Sequence, residues 1–253
     1  MNTLGLYIYG MLEEMGCLLL LFIESLRWAL RPPYRLRNVF GQMEFVGVRS
    51  SAVVVLTGAF TGMVLAFQSY HAFRKFNAES FVGPVVALSM GRELGPVLTG
   101  IMVTARAGSA MAAELGTMRV TEQIDALDTL ATNPVHYLVV PRLVAGVVMV
   151  PLLTVVTDFL GVLGGYAVGV GLLGINPHVY VEKTLDLVEM TDITDGLVKA
   201  AFFGLILALV GCYKGFYTTG GAEGVGRATT QAVVTAALLI IVADYILTAL
   251  MFR

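Results

Sequence analysis

A charged pair, Arg92-Glu93, interrupts an apolar stretch of this chain inside the segment Gly91 to Pro96. A guanidinium and a carboxylate at membrane depth are costly, and such groups mark either a substrate path or an ion pair between helices. Pro96 has no N–H, so the carbonyl of Arg92, four residues earlier, loses its helical partner. We therefore predict a kink here, with a polar carbonyl beside the two charges. Adjacent helical residues point about 100° apart, so Arg92 and Glu93 are expected to face different neighbours.

The roles of these polar residues stay open at this point. In one interpretation, one of Arg92 and Glu93 contacts an anionic head group while the other holds a neighbouring helix. In the alternative, both residues only lock helices together. Asp158 and Asp244 also fall in apolar segments, where a central carboxylate costs roughly 2.5–3.5 kcal/mol. We expect each to bond a neighbouring Thr or Tyr, with a proton relay as the alternative. Gln68 either lines a cavity or meets interfacial water.

The composition predicts an all-α integral membrane protein. Of 253 residues, 57% are hydrophobic and only 13% are charged, against 45–50% and about 25% in a typical soluble domain. Apolar stretches long enough to span the hydrocarbon layer predict five spans, at residues 50–70, 81–105, 143–173, 196–217 and 228–252.

The first 40 residues are predicted to form a separate interfacial region before a membrane-spanning domain of residues 41–253. Glu13 and Glu14 precede an apolar run that is too short to span a bilayer. We expect a helix lying in the membrane interface and ended by Arg31-Pro32-Pro33. The alternative is a tilted span from Leu4 to Leu30 with buried glutamates.

Positive residues predict the orientation. Ten lie before the first predicted span or border the loops on that side: Arg27, Arg31, Arg35, Arg37, Arg49, Arg106, Arg119, Arg142, Lys214 and Arg227. Five lie on the other side: Arg74, Lys75, Lys183, Lys199 and Arg253. The positive-inside rule then places the N-terminus in the cytoplasm and the C-terminus outside. The acidic segment 174–195 becomes an external loop.

Residues 114–134, between the second and third spans, are predicted to form a cytoplasmic amphipathic helix. Apolar residues recur at helical spacing along one face: Val120, Ile124, Leu127 and Ala131. The other faces are polar and acidic, and Asn133-Pro134 ends the helix. Such a helix either lies on the membrane or inserts into a groove on a partner. Its acidic face favours the partner.

Other features carry less functional weight. The glycine-rich segment 220–227 lacks the Gly-Lys of a phosphate-binding loop and is predicted to be a tight turn. The scattered histidines and the two distant cysteines, Cys17 and Cys212, give no ligand spacing, so no metal site or disulfide is expected. Without a nucleophile–base constellation, we expect no enzymatic activity, and nothing suggests a nucleic-acid partner. Small residues at four-residue spacing, such as Gly58 and Gly62, indicate close helix packing, within one subunit or in a dimer.

A long ordered string of motifs resembles the MlaE-type permeases, the membrane subunits of bacterial ABC systems that move phospholipids between inner and outer membranes. The similarity extends from about Val46 to the C-terminus. The matching segments are Gly91–Pro96, Ala105–Ala110, Glu114–Gly116, Met118-Arg119, Thr121–Gln123, Pro141-Arg142, Arg227–Thr230 and Leu247–Phe252.

The resemblance implies an inner-membrane homodimer with several partners. These are a cytoplasmic ATPase that binds the ATP, a periplasmic MCE-domain protein and often a STAS-domain protein. Segment 114–134 would be the coupling helix, with contacts to the ATPase expected from Glu114, Gly116, Arg119, Glu122, Gln123 and Asp125. An outward-facing phospholipid pocket would involve Arg92, Glu93, Gln68 and Phe76. No cofactor is expected in this chain.

Two rival functions remain. One is a stand-alone ion-coupled carrier using Arg92, Glu93, Asp158 and Asp244. Only the second span shows a clear break, whereas such carriers often pair broken segments in two related halves. The other is a structural platform for the external ring, which would hold no lipid.

Overall fold

The structure, a computed structural model, describes residues 3–32 and 35–251, and side chains from residue 12 onward. Within these ranges the chain is helical and has no β-strand. The α-helices are α1 (Thr3–Ala29), α2 (Leu36–Val46), α3 (Ser51–Phe73), α4 (Val82–Ser89), α5 (Gly95–Val103), α6 (Ser109–Val120), α7 (Gln123–Thr129), α8 (Val140–Gly171), α9 (Pro177–Leu187), α10 (Met190–Phe216) and α11 (Gly221–Met251).

Five helical stretches of the described chain are long and apolar enough to cross a membrane, which confirms the predicted number of spans. They are Leu36–Phe76, Glu79–Val120, Val135–Gly171, Met190–Phe216 and Gly221–Met251. The protein is therefore a multi-pass membrane protein. The end of the last predicted span, residue 252, lies outside the described residues, as do Pro33 of the predicted helix stop and Arg253 of the charge count. We call the end of the bundle where α3 and α8 begin the N-terminal face.

The second stretch is continuous far beyond its predicted end at residue 105. It contains α4, a π turn at Met90–Leu94, α5, a second π turn at Thr104–Gly108, and α6. A π turn contains one more residue than an α turn and often lies at a functional site. The disruption that Pro96 predicts is thus present as the first π turn, and the helix continues through it.

Three helices begin earlier than predicted. The third stretch starts at Val135, so Arg142 lies inside a span and not at its border. The buried Arg142 is neutralised by Glu114 and donates a hydrogen bond to the carbonyl of Leu138. These two contacts make its burial tolerable. α10 starts at Met190, so Lys199 is also inside a span. The glycine-rich segment 220–227 is mostly the first two turns of α11. The predicted external segment 174–195 contains α9 and the start of α10.

Helix α3 packs along α8 through glycines. A Cβ at Gly62 would collide with the backbone of Gly161, and one at Gly58 would lie 2.8 Å from the carbonyl oxygen of Thr157. In the same way, Gly196 meets the backbone of Gly91. The small residues at four-residue spacing therefore serve packing within one subunit, which was one of the two predicted uses.

Helix α1 lies against α8 and α10 at the N-terminal face and is not among the five candidate spans of the described chain. Glu14 of α1 pairs with Lys214 near the end of α10. Near the C-terminal end of α1, Trp28 stacks on His136 with ring centroids 5.4 Å apart. These two contacts fix the middle and the C-terminal end of α1 to the bundle.

The single helix predicted over residues 114–134 is wrong. α6 ends at Val120, Glu122 has a positive φ of 60°, and α7 covers only Gln123–Thr129. Ala131 also has a positive φ, of 55°, and ends the helical geometry. The predicted apolar stripe is therefore divided. Ile124 is buried in the main core and Leu127 packs against that core, while Val120 is 39% exposed.

Candidate functional site

The most unusual group inside the bundle is the ammonium of Lys199, on α10, which is completely buried. It lies 2.7 Å from Oε2 of Glu93 and 3.5 Å from Oδ1 of Asp244, on α11. It also donates to Oγ1 of Thr248 at 2.7 Å and to the carbonyl oxygen of Arg92 at 3.1 Å. An ammonium has three donors, so Glu93, Thr248 and the Arg92 carbonyl use its full capacity. The second span, α10 and α11 therefore meet at one lysine.

The carbonyl of Arg92 is available to Lys199 because of the local sequence. Pro96 cannot donate to it, and Gly196 lets α10 lie close to the π turn, since a Cβ at Gly196 would collide with the Gly91 carbonyl oxygen. Any side chain at Gly196 would push the two backbones apart. The kink motif thus exposes an acceptor, and a glycine on the facing helix lets a lysine reach it.

The guanidinium of Arg92 contacts α10 about two turns before Lys199. Its Nε donates to Oδ1 of Asp192 at 2.7 Å, and a terminal nitrogen lies 2.5 Å from the same oxygen. The other carboxylate oxygen of Asp192 accepts from the backbone N–H of Glu189 at 3.0 Å, as part of a capping box. Asp192 therefore starts α10 and also fixes Arg92. As predicted, Arg92 and Glu93 face different partners, although both partners lie on α10.

We call Arg92, Glu93, Asp192, Lys199 and Asp244 the charge cluster. Its two cations face three carboxylates, so it carries one excess negative charge when every member is ionised. One half is closed, since the side chains of Lys199 and Asp192 are 0% and 6% exposed. The other half is open, with Arg92 at 36% and Glu93 at 35%. The cluster can therefore hold helices together and still present charge to a bound molecule.

Thr248 joins α11 to this arrangement. Its Oγ1 lies 2.8 Å from the carbonyl oxygen of Asp244 and 3.2 Å from Oε1 of Glu93, while it accepts from Lys199. Its hydroxyl hydrogen can serve only one acceptor well, either the backbone carbonyl of Asp244 or the carboxylate of Glu93. This contact ties the otherwise exposed α11 to the kink in the second span.

The hydrogen bonds predicted from a Thr or Tyr to Asp158 and Asp244 are not found at the carboxylate oxygens that lack a partner. Oδ1 of Asp158 and Oδ1 of Asp244 have no hydrogen-bond partner in the part of the chain the structure describes. Asp244 has its ion pair with Lys199 instead. Asp158 faces Gly95, and the nearest candidate, Thr157, is bonded to Thr99 at 2.7 Å. Asp158 therefore packs from α8 against Gly95, the residue that follows the first π turn.

Gln68 and Phe76 lie on a different flank from Lys199. Gln68 is exposed near the end of α3, and Phe76, in the turn that follows, is 80% exposed. α3 packs mainly on α8 and α4, whereas the charge cluster is built against α10 and α11. Within one copy of the chain, these two residues do not extend the cluster.

The residues predicted to contact an ATPase divide between buried and exposed positions. Oε2 of Glu114 lies 2.7 Å from Arg142, and Gly116 packs under Thr218 at the start of the α10–α11 loop. Arg119 pairs with Asp125 at 2.5 Å across the α6–α7 turn. At the positive-φ residue Glu122 the chain turns, and the Gln123 amide donates to Oγ1 of Thr121 at 3.0 Å. The turn is held by its own side chains and leaves the polar face of α7 exposed.

Sequence reasoning missed Lys199, Asp192, Thr248 and Arg142 as parts of the site. One usable signal existed for the first two. Glu189 and Asp192 have the spacing of a capping box, which starts α10 at residue 190 and so places Lys199 well inside the helix. Thr248 and Arg142 fall in the matching segments Leu247–Phe252 and Pro141-Arg142, but their partners lie more than 25 residues away and no local pattern identifies them.

Among the residues that the structure describes, no group of three or more His, Cys, Asp or Glu side chains is placed to hold a metal ion. Cys17 and Cys212 are both free thiols. Outside the spans, burial raises the pKa of Tyr180 to about 12, so this tyrosine on α9 stays protonated and packs against Gly165 and Gly169.

Comparison with known proteins shows the same family along nearly the whole chain. The family described as Permease MlaE matches residues 39–250. A "Probable ABC transporter permease protein" of Rickettsia felis is 45% identical over 252 residues, covering 100% of this chain and 97% of that protein. The "Intermembrane phospholipid transport system permease protein MlaE" of Haemophilus influenzae is 39% identical over 212 residues, covering 83% of this chain and 81% of that protein. "Protein TRIGALACTOSYLDIACYLGLYCEROL 1, chloroplastic" of Arabidopsis thaliana is 37% identical over 217 residues, covering 86% of this chain and 62% of that protein.

Proposed function

The chain belongs to the MlaE permease family, and on this premise we propose that it is the membrane subunit of an ABC transporter that moves phospholipids between the inner and outer membranes. The named function of the Haemophilus relative supports the substrate. In this proposal the chain hydrolyses nothing itself, and a separate cytoplasmic subunit binds and hydrolyses ATP.

The observation that carries the proposal is the open half of the charge cluster. Arg92 and Glu93 are each about one third exposed, although both are anchored to α10. Charges fixed in this way inside a span can address a phospholipid head group without first being ordered. In the proposal Arg92 contacts the phosphate, while Glu93 and Asp244 contact the rest of the head group.

We propose that two copies of the chain enclose the lipid. α11 presents a continuous apolar face that nothing in the single chain covers, at Val234, Leu238, Ile241, Val242, Tyr245 and Ile246, which are 50–77% exposed. The four-residue glycine motifs are already used for packing inside one copy, so α11 is the better candidate for the contact between copies. Glu93 and Asp244 would then line the space between them. Gln68 and Phe76, exposed on α3 and the turn after it, would contribute at the mouth of this space.

Coupling to ATP hydrolysis is proposed to pass through α7. The exposed polar face of α7 and the Arg119–Asp125 turn would contact the ATPase, with Glu122 and Gln123 beside it. Glu114 and Gly116, which contact Arg142 and Thr218, would transmit the movement to α8 and α10. In this arrangement α7 moves with the helical stretch that contains Arg92 and Glu93, since α6 is the last part of that stretch.

The proposed orientation puts the N-terminal face in the cytoplasm and the C-terminus in the periplasm. The excess of positive residues on the N-terminal side supports it. Arg142 and Lys199 are buried and no longer count as loop residues. Because Arg142 was counted on the N-terminal side and Lys199 on the other side, the difference in positive charge between the two sides is unchanged. The other proposed partners are a periplasmic MCE-domain protein and a STAS-domain protein.

The proposal is tested by purifying the tagged chain from its native host in mild detergent. We expect an ATPase, an MCE-domain protein and phospholipid to co-purify, identified by mass spectrometry. A chain that carries no lipid and no ATPase, and that transports in liposomes under an ion gradient alone, would instead establish the carrier.

A further inference from the structure

A polar cavity lies at the N-terminal face, away from the charge cluster. It has a volume of about 400 Å³ and is bordered by α2, α6 and the start of the third span. Its polar lining includes Arg37, Gln42, Glu114, Tyr137 and Arg142. Small-molecule sites are usually 300–1,000 Å³, so this space is large enough for one small ligand.

The wall of this cavity contains both a buried donor and a buried acceptor without partners. Nε of Arg142 and Oε1 of Gln42 are two such atoms among the described residues. The Arg142 side chain is only 3% exposed, although its terminal nitrogens bond Glu114 and the carbonyl of Leu138. Buried polar atoms normally have a partner. A ligand that both accepts and donates would supply one to each of these two atoms.

The lining also contains both basic and acidic side chains. Arg37 and Arg142 supply two guanidinium groups, and the guanidinium of Arg35 lies 4.5 Å from the ring centroid of Tyr137 at the rim. Guanidinium groups favour phosphate. Glu114 is the acidic member of the lining, and its side chain is 52% exposed, so it has acceptor capacity beyond its bond to Arg142. The lining therefore suits a small zwitterion with a phosphate at one end and an ammonium at the other.

The position of the cavity identifies the source of such a group. It lies where α2 leads into the first span and the third span begins, with Trp28 and His136 stacked nearby. Basic pockets between spans at this depth are typical sites for lipid head groups. We propose that this cavity binds the phosphoethanolamine head group of a phospholipid from the leaflet at the N-terminal face. The phosphate contacts Arg37 and Arg142, and the ammonium contacts Glu114 and Gln42. A choline head group fits worse, because a quaternary ammonium has no N–H to donate to Gln42.

This site is independent of the proposed lipid path at Arg92. It connects the membrane surface to α6, which continues into the α6–α7 turn, so a bound lipid stabilises the position of that turn. The inference depends only on the protein being in a membrane. It can hold even if the transport proposal fails.

The test is photocrosslinking in nanodiscs made from the full purified chain. The probe is phosphatidylethanolamine with a photoactivatable group close to the head group, and the crosslinked peptides are mapped by mass spectrometry. We expect labelling of residues 36–46 and 135–142. Arg37→Gln and Gln42→Leu should each reduce it about tenfold, as loss of one charge-assisted bond does. Arg27→Gln, which removes an exposed charge from α1, should leave it unchanged.

Several results would overturn the inference. One is equal labelling of these segments by the matching phosphatidylcholine probe. Another is labelling that both Arg37→Gln and Gln42→Leu leave intact. Competition by soluble phosphoethanolamine at concentrations that leave the lipid undisplaced elsewhere would show that the ligand is a free metabolite. Loss of labelling when the ATPase is added would show that the cavity receives a protein side chain.

Discussion

The carbonyl oxygen of Arg92 accepts a hydrogen bond from the ammonium of Lys199 at 3.1 Å. Pro96 removes the helical donor from that carbonyl, and Lys199 replaces it from another helix. The same ammonium neutralises Glu93 at 2.7 Å. One lysine thus compensates both for the broken helical bond and for the charge of Glu93, which explains how a charged π turn is tolerated inside the bundle.

Replacing Lys199 by Met should destabilise the protein strongly. The change leaves Glu93 and Asp244 without a cation and the Arg92 carbonyl without a donor. Breaking a buried ion pair costs about 3–5 kcal/mol, and the open position of Glu93 favours the lower end. The expected result is a clearly lower melting temperature in detergent. Lys183→Met, an exposed change on α9, is the control. Equal melting temperatures for the two variants would show that Lys199 has no such role.

Asp192→Ala should weaken both the Arg92 contact and the start of α10. Loss of a helix cap costs about 0.5–2 kcal/mol, and loss of the ion pair adds to it. Because the capping contribution is separate, the double variant Arg92→Gln/Asp192→Ala should remain less stable than Arg92→Gln alone. Thermal unfolding of the three variants measures this. A double variant as stable as Arg92→Gln would mean that Asp192 acts only through Arg92.

Gly62→Ala should disturb the packing of α3 on α8. The new methyl group would collide with the backbone of Gly161, which cannot move like a flexible side chain. Overpacking of this kind costs about 1–3 kcal/mol. Gly226→Ala in α11 meets nothing within 4 Å and should stabilise its helix by about 0.5–1 kcal/mol. A scan of melting temperatures in which both substitutions shift the value in the same direction would contradict the assigned packing.

Asp125→Arg should impair coupling while leaving the fold intact. The Arg119–Asp125 pair is exposed, with side chains 39% and 55% accessible, so its loss costs at most about 1 kcal/mol. A like charge beside Arg119 on the proposed contact surface should still reduce recovery of the ATPase in pull-downs. Asp186→Arg on α9 should leave recovery unchanged. Normal ATPase recovery with Asp125→Arg would remove α7 from the proposed interface.

Much of the architecture could be predicted from the sequence, because the length of an apolar stretch determines whether it spans a membrane. The five spans and the disruption at Pro96 followed from such local properties. The span limit failed at Arg142, which was assigned to a loop because of its charge, and Lys199 was counted with the loop charges although it lies within the predicted fourth span. Their burial depends on Glu114 and Glu93, which are distant in sequence, and no local pattern reports such pairing.

The predicted helix at residues 114–134 failed for a related reason. The spacing of Val120, Ile124 and Leu127 fits a helix, but the chain turns at Glu122 so that Ile124 can enter the core. Local periodicity cannot detect a single residue with positive φ. Arg92 and Glu93 were identified correctly as unusual positions, whereas their partners on α10 and α11 required the fold.

The most direct test of the account is lipid transfer by the chain reconstituted with its ATPase and its other partners. Fluorescent phospholipid movement would be measured with and without ATP for the native chain, Arg92→Ala, Glu93→Gln and the exposed control Glu13→Gln. The account predicts ATP-dependent transfer by the native chain and the control, and at least a tenfold loss in both cluster variants although the complex assembles. Native transfer rates in assembled Arg92→Ala and Glu93→Gln complexes would contradict it, and would leave the charge cluster as a structural lock alone.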